Sequence, residues 1–178
     1  LHAAVHRAVD PHLELVMTPD PFEPLVLDLA DVLRGRGWRM ATAESCTGGL
    51  IAAACTAVAG SSDWFERGFV TYSNAAKTEL LGVDEALLRA HGAVSEPVAR
   101  AMAEGALARA PVQRAVAVTG IAGPGGAVPG KPVGTVWLAL ARHDGATFSQ
   151  LLQLAGDRSA VRQATVVAAL QALRRSVD

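Results

Sequence analysis

The chain has 178 residues, 51% hydrophobic and 19% charged, which fits one domain able to bury its own core. Sixteen basic residues against seventeen acidic ones leave a formal charge of −1, which argues against a dedicated nucleic-acid binder. The longest apolar stretch, around residues 50–59, is about half of the roughly 20 residues that a membrane span needs. No secretory signal pattern is visible, and two cysteines, Cys46 and Cys55, cannot make a disulfide framework. A single-domain, cytoplasmic protein is expected.

Met17-Thr18-Pro19-Asp20 would make a natural N-terminus just before a helix. Residues 1–16 are therefore expected to be an extension that the fold does not need, with residues 17–178 as the domain. Asp20-Pro21-Phe22-Glu23 reads as a helix start, with an N-cap acid, proline at N1 and an acid at N3. Apolar residues follow at helical spacing from Phe22 to Leu33, and Gly35 or Gly37 can stop the helix. A short strand is predicted from Trp38 to Ala43, then a small, apolar helix from Leu50 to Val58. Phe65–Thr71 reads as a second strand and Asn74–Leu81 as a helix. Ser95 caps a further helix that runs to about Ala108.

Ala115–Val118 is a short apolar run before a glycine-rich stretch, the pattern of a central strand. Val133–Ala141 and Ala146–Leu154 are two more strands, joined by the hairpin signal His143-Asp144-Gly145. Asp157 can cap a last amphipathic helix with Val161, Ala164, Ala168 and Leu173 facing inward. This order predicts a three-layer α/β/α sandwich with a mixed, mostly parallel sheet and an antiparallel hairpin near the C-terminus.

Four polar segments sit where predicted strands end. Ser45 leads Cys46-Thr47-Gly48-Gly49 into a helix, where N–H groups favour an anion and glycines permit close approach. The plain structural explanation is a serine N-cap with a glycine for tight packing. Tyr72, the only tyrosine, precedes Asn74 and Lys77. If Asn74 caps the helix, Tyr72 and Lys77 can both reach the carboxyl edge of the sheet. A serine nucleophile needs a base, and a buried lysine can serve; a surface lysine beside a half-buried tyrosine is the ordinary alternative.

Thr119-Gly120-Ile121-Ala122-Gly123-Pro124-Gly125-Gly126 exposes several backbone donors and suits an anion-binding nest. Gly125 to Lys131 nearly spells a phosphate-binding P-loop, but Pro132 stands where Ser or Thr would hold magnesium. Arg158 follows Gly156-Asp157 at the start of the last helix, with Arg162 one turn on, an arrangement able to clamp a phosphate. Cys46 competes with Ser45 as nucleophile if a helix N-terminus lowers its pKa. His2 and His6 share a helical face without a third ligand, His91 and His143 are isolated, and no metal is predicted.

Together these segments resemble the CinA C-terminal domain family, whose enzymatic members are nicotinamide-nucleotide amidases. The resemblance rests on Ala41-Thr42-Ala43-Glu44-Ser45-Cys46-Thr47-Gly48-Gly49, on Val70-Thr71-Tyr72-Ser73-Asn74 with Lys77, and on Gly92-Ala93-Val94-Ser95. Thr119 through Gly126, Lys131-Pro132-Val133-Gly134-Thr135-Val136 and Gly156-Asp157-Arg158 complete it, covering about residues 22–175. It implies deamidation of nicotinamide mononucleotide to nicotinate mononucleotide and ammonia in pyridine-nucleotide salvage, without a cofactor. It also implies Ser45 as nucleophile, Lys77 as its base and Tyr72 as a hydroxyl that relays or orients the proton. Substrate binding would fall to Thr47, Gly48, Gly49, Asn74, Thr119, Gly120, Gly123, Gly125, Gly126 and Arg158, with Arg158 near the phosphate. A homodimer is the expected assembly. A non-catalytic nucleotide-binding or competence-linked module is the alternative.

Overall fold

The structure, a computed structural model, describes residues 20–178; the expected extension at 1–16, with His2 and His6, lies outside them. Helix α1 (Glu23–Arg36) leads to strand β1 (Met40–Glu44) and helix α2 (Leu50–Thr56). Strand β2 (Phe65–Val70) is followed by helices α3 (Asn74–Leu81), α4 (Glu85–His91) and α5 (Glu96–Arg109). Strands β3 (Arg114–Gly120), β4 (Thr135–Arg142) and β5 (Gly145–Gln153) then precede helix α6 (Arg158–Arg175).

The five strands lie in the order β2-β1-β3-β4-β5. β1 pairs in parallel with both β2 and β3, while β4 runs antiparallel to β3 and β5 antiparallel to β4. Four strands thus point one way and β4 alone is reversed. The hairpin closes by pairing Arg142 with Gly145, as His143-Asp144-Gly145 predicts.

Alternation along β3 divides the core into two layers. Val116 and Val118 face one side with Leu29, Leu33, Ile51, Val166, Leu170 and Leu173 of α1, α2 and α6. Ala115 and Ala117 face the other, against Leu81, Leu88, Val98 and Met102 of α3, α4 and α5. The small residues on that second face let α5 come close to the sheet. At Gly105, α5 passes the end of α3 so closely that a Cβ would stand 2.1 Å from the Leu81 carbonyl oxygen. Among the described residues, no helix is long and apolar enough to cross a membrane.

Several local expectations shift. α1 begins at Glu23, because the Asp20 carboxyl accepts from Phe22 N–H (2.9 Å) and forms a turn ahead of the helix. Gly37, at φ 64°, ends α1 by donating its N–H to Arg34, while Trp38 donates to Leu33. β1 starts two residues later than predicted and runs through Glu44. Ser95 holds the N-cap position of α5, yet its hydroxyl donates to the Gly92 carbonyl (2.8 Å) instead of capping. On α6 the fully buried face is Val161, Thr165, Val166, Ala169, Leu170, Ala172 and Leu173, and the expected Ala164 and Ala168 are half-buried beside it. Seven-residue α4 has no counterpart among the predicted elements.

Candidate active site

From β1 the chain crosses to β2 on one side and returns to place β3 on the other, so a crevice opens beyond the carboxyl end of β1. Ser45 is the first residue past that end. Its N–H donates to the Val118 carbonyl and its carbonyl accepts from Gly48, both at 3.0 Å. The turn that follows needs two left-handed residues, Gly48 (φ 59°) and Gly49 (φ 99°), a requirement that glycine meets without steric cost.

Beneath this turn lies Glu44, which is fully buried. Its Oε1 accepts from Thr47 Oγ1 (2.7 Å) and Ile51 N–H (2.8 Å), and its Oε2 from Ala52 N–H (2.9 Å) and Thr42 Oγ1 (3.2 Å). The free N–H groups at the start of α2 are therefore occupied by the protein's own carboxyl group. This corrects the expectation that they would face a ligand. Glu44→Gln sets an amide NH2 against these donors, and unfilled buried donors typically cost about 1–3 kcal/mol each. Urea denaturation of that variant is expected to show a stability loss of about 2–4 kcal/mol; unchanged stability would mean that the carboxyl group does not hold the turn.

Helix α3 delivers the lysine. Its N-cap is Ser73, whose Oγ accepts from Ala76 N–H (3.0 Å), so the cap falls one residue before the expected Asn74. Lys77 follows in the first turn and is 1% exposed. Its Nζ lies 3.0 Å from Ser45 Oγ and donates to the Thr71 carbonyl at 2.7 Å. Among the described residues no carboxylate pairs with it. Burial lowers its pKa from 10.5 to about 8, opposed by the nearby Cys46. Cys46 moves the other way, because burial pushes its thiol up to about 11. That corrects the expected lowering: α2 begins only at Leu50, and desolvation outweighs the neighbouring N–H groups.

A cavity of about 210 Å³ stands over this pair. Ser45, Cys46, Tyr72, Asn74, Lys77, Thr119, Gly120 and Arg158 line it, with Ala93, Val94 and Ala122 completing the wall. The Thr119 hydroxyl is buried and donates to the Ala93 carbonyl (2.9 Å), which fixes the loop between α4 and α5 as one side of the cavity. Arg158 spans the mouth: its Nη2 donates to Tyr72 Oη (2.9 Å) and its Nη1 to the Gly123 carbonyl (2.8 Å). Gly123 lines a neighbouring cavity with Pro124, Val133 and Asp157, which shares Ala122 and Arg158 with the first.

Thr47, Gly48, Gly49, Gly125 and Gly126 line neither cavity. Thr47 is fully buried on Glu44, and Gly48 spends its N–H on Ser45. Arg162, expected beside a phosphate, donates instead to the Thr47 carbonyl (2.8 Å) and braces the turn after Ser45 from α6. Glu44, Ala93 and Val94 were not anticipated as parts of the site. An acid next to Ser45 was the signal in the sequence for Glu44, and its burial emerges only when its donors fold around it. Among the described residues, no group of three or more His, Cys, Asp or Glu side chains could hold a metal ion.

Ser45 and the buried Lys77, in contact at the switch point of a mixed sheet, mark an α/β protein with a candidate hydrolase site. The chain belongs to the CinA C-terminal domain family, whose model matches residues 23–177. It is 52% identical over 159 residues to the nicotinamide-nucleotide amidohydrolase PncC of Enterobacter agglomerans, covering 89% of this chain and 97% of that protein. The CinA-like protein of Mycolicibacterium vanbaalenii is 54% identical over 149 residues, 84% of this chain but 35% of that longer protein. Among solved structures, the competence/damage inducible protein CihA from Agrobacterium tumefaciens aligns with a TM-score of 0.86 at 45% identity, over 90% of this chain and 98% of that one.

Proposed function

We propose that this chain is a nicotinamide-nucleotide amidase, hydrolysing nicotinamide mononucleotide to nicotinate mononucleotide and ammonia. The observation that carries the reading is the 3.0 Å contact of Lys77 Nζ with Ser45 Oγ, on a lysine whose burial brings its pKa to about 8. Amidohydrolase relatives that match nearly full length support the choice of substrate.

In this reading Ser45 Oγ attacks the carboxamide carbon while neutral Lys77 accepts its proton. The pyridinium's fixed charge draws electrons from the carboxamide and favours the attack. Cys46 and Ala122 line the cavity, and among the described residues their backbone N–H groups donate to no carbonyl, so they can serve the developing oxyanion. The C–N bond then breaks, Lys77 returns its proton to the leaving nitrogen, and ammonia departs. Water activated by the same lysine hydrolyses the ester on Ser45. Tyr72 assists the proton's passage, and Arg158 meets the phosphate at the cavity mouth.

The test is ammonia release from nicotinamide mononucleotide in the presence of a chelator. Turnover that survives chelation is the expected result. A folded protein that binds the nucleotide and releases no ammonia would leave the non-catalytic binding module in its place.

A further inference from the structure

The hydrogen bond between Arg158 and Tyr72 joins the two polar side chains that the proposed reaction needs for different purposes. Tyr72 follows β2 and Arg158 opens α6, 86 residues apart in sequence, and both line the cavity above Ser45 and Lys77. Arg158 directs two of its five N–H donors to neutral acceptors, the Tyr72 hydroxyl and the Gly123 carbonyl. Among the described residues it has no carboxylate partner. A guanidinium held only by neutral oxygens has its charge-assisted hydrogen bonding unspent, and a phosphate would take the same donors more strongly. Tyr72 is 62% exposed, so its ring can leave Arg158 without disturbing the core.

We infer that the Arg158–Tyr72 hydrogen bond is a latch opened by the substrate's phosphate, which makes the phosphate a determinant of turnover as well as of binding. Without a phosphate, Arg158 holds the Tyr72 hydroxyl at the rim of the cavity. A phosphate draws the Arg158 donors to itself, and the freed hydroxyl turns inward toward the Ser45–Lys77 pair. The inference rests on the amidase reading above, and it deepens that reading by making the nucleotide's phosphate switch on the site. A nucleoside substrate then suffers in kcat, a pattern that loss of a simple binding contact would not produce.

Ammonia release is measured with nicotinamide mononucleotide and with nicotinamide riboside, the latter with and without inorganic phosphite. The parent is expected to turn the riboside over with a lower kcat than the nucleotide. Phosphite is expected to raise riboside turnover saturably by about threefold to tenfold, the range a partly exposed hydrogen bond supports. Arg158→Met is expected to raise the nucleotide's KM, to lift riboside turnover to the phosphite-activated level, and to abolish activation. Tyr72→Phe is expected to lower kcat on the nucleotide and to remove activation as well. Both side chains are exposed, so neither variant opens a hole in the core. Riboside turnover that phosphite leaves unchanged overturns the latch, as does Arg158→Met turning the riboside over no faster than the parent, while nucleotide turnover in those same assays keeps the amidase reading. A parent that releases no ammonia from the nucleotide overturns both.

Discussion

Ser45→Ala is expected to lower ammonia release from nicotinamide mononucleotide by on the order of 10⁴- to 10⁶-fold and to leave nucleotide affinity unchanged, since removing a nucleophile deletes the covalent step and little else. The substitution is quiet structurally. The Ser45 backbone keeps its bonds to Val118 and Gly48, and the turn is held by Glu44 from below and Arg162 from the side. Cys46→Ala is the matched control. Burial pushes the Cys46 thiol up to about 11, so it stays protonated near neutral pH, whereas Ser45 has Lys77 Nζ at 3.0 Å to take its proton. Single-turnover ammonia release, with affinity measured calorimetrically on the same preparations, separates the two residues. A folded Cys46→Ala that is dead beside an active Ser45→Ala would transfer the nucleophile to the thiol.

What the sequence showed well was local. α3 runs from Asn74 to Leu81 as its pattern predicts, Gly37 stops α1, and Asp157 caps α6 by accepting from Ala160 N–H at 2.9 Å. Each of these depends on residues within one or two helical turns of each other. Four polar segments at strand ends were likewise readable, because the end of an apolar run is visible along the chain. What could not be read was where each polar group spends its hydrogen bonds. The α2 N-terminus looked free, yet Glu44 reaches it across a tight turn, and its carboxyl oxygens already take the N–H groups that a ligand would need. Arg162 looked like an extension of the phosphate clamp, but its partner is the Thr47 carbonyl, 115 residues earlier. α4 escaped notice because seven residues are too few to show a period, although Asp84 caps it from Ala86 N–H.

Replacing Lys77 with methionine is expected to abolish turnover by a margin similar to that of Ser45→Ala and, near neutral pH, to make the protein more stable. The two effects have one cause. An ordinary lysine at 10.5 is neutral in about one molecule in 3,000 at pH 7, whereas at about 8 the fraction is about a tenth, so burial enriches the base roughly 300-fold. For the parent, kcat/KM is expected to rise with pH through about 8 and then level off. In kcat the rise should come at lower pH, because the bound pyridinium adds a like charge beside the lysine. The same shift destabilises the fold. Between about 8 and 10.5 the unfolded chain binds the proton that the native lysine has released, so stability rises with pH across that window. Below about 8 the cost of burying the ammonium is fully present, at roughly 3 kcal/mol. Methionine removes that cost but forfeits the contacts with Ser45 and Thr71, worth about 1 kcal/mol each, which leaves a net gain of roughly 1 kcal/mol. Melting curves are expected to place Lys77→Met about 2–4 °C above the parent at pH 7, with the gap closing about one pH unit above 8 and then reversing toward 10.5, where only the lost contacts remain. A pH–rate profile flat from 6.5 to 9 would remove the lysine as base, and a gap in Tm that does not narrow over the higher window would mean that Lys77 is buried without a depressed pKa.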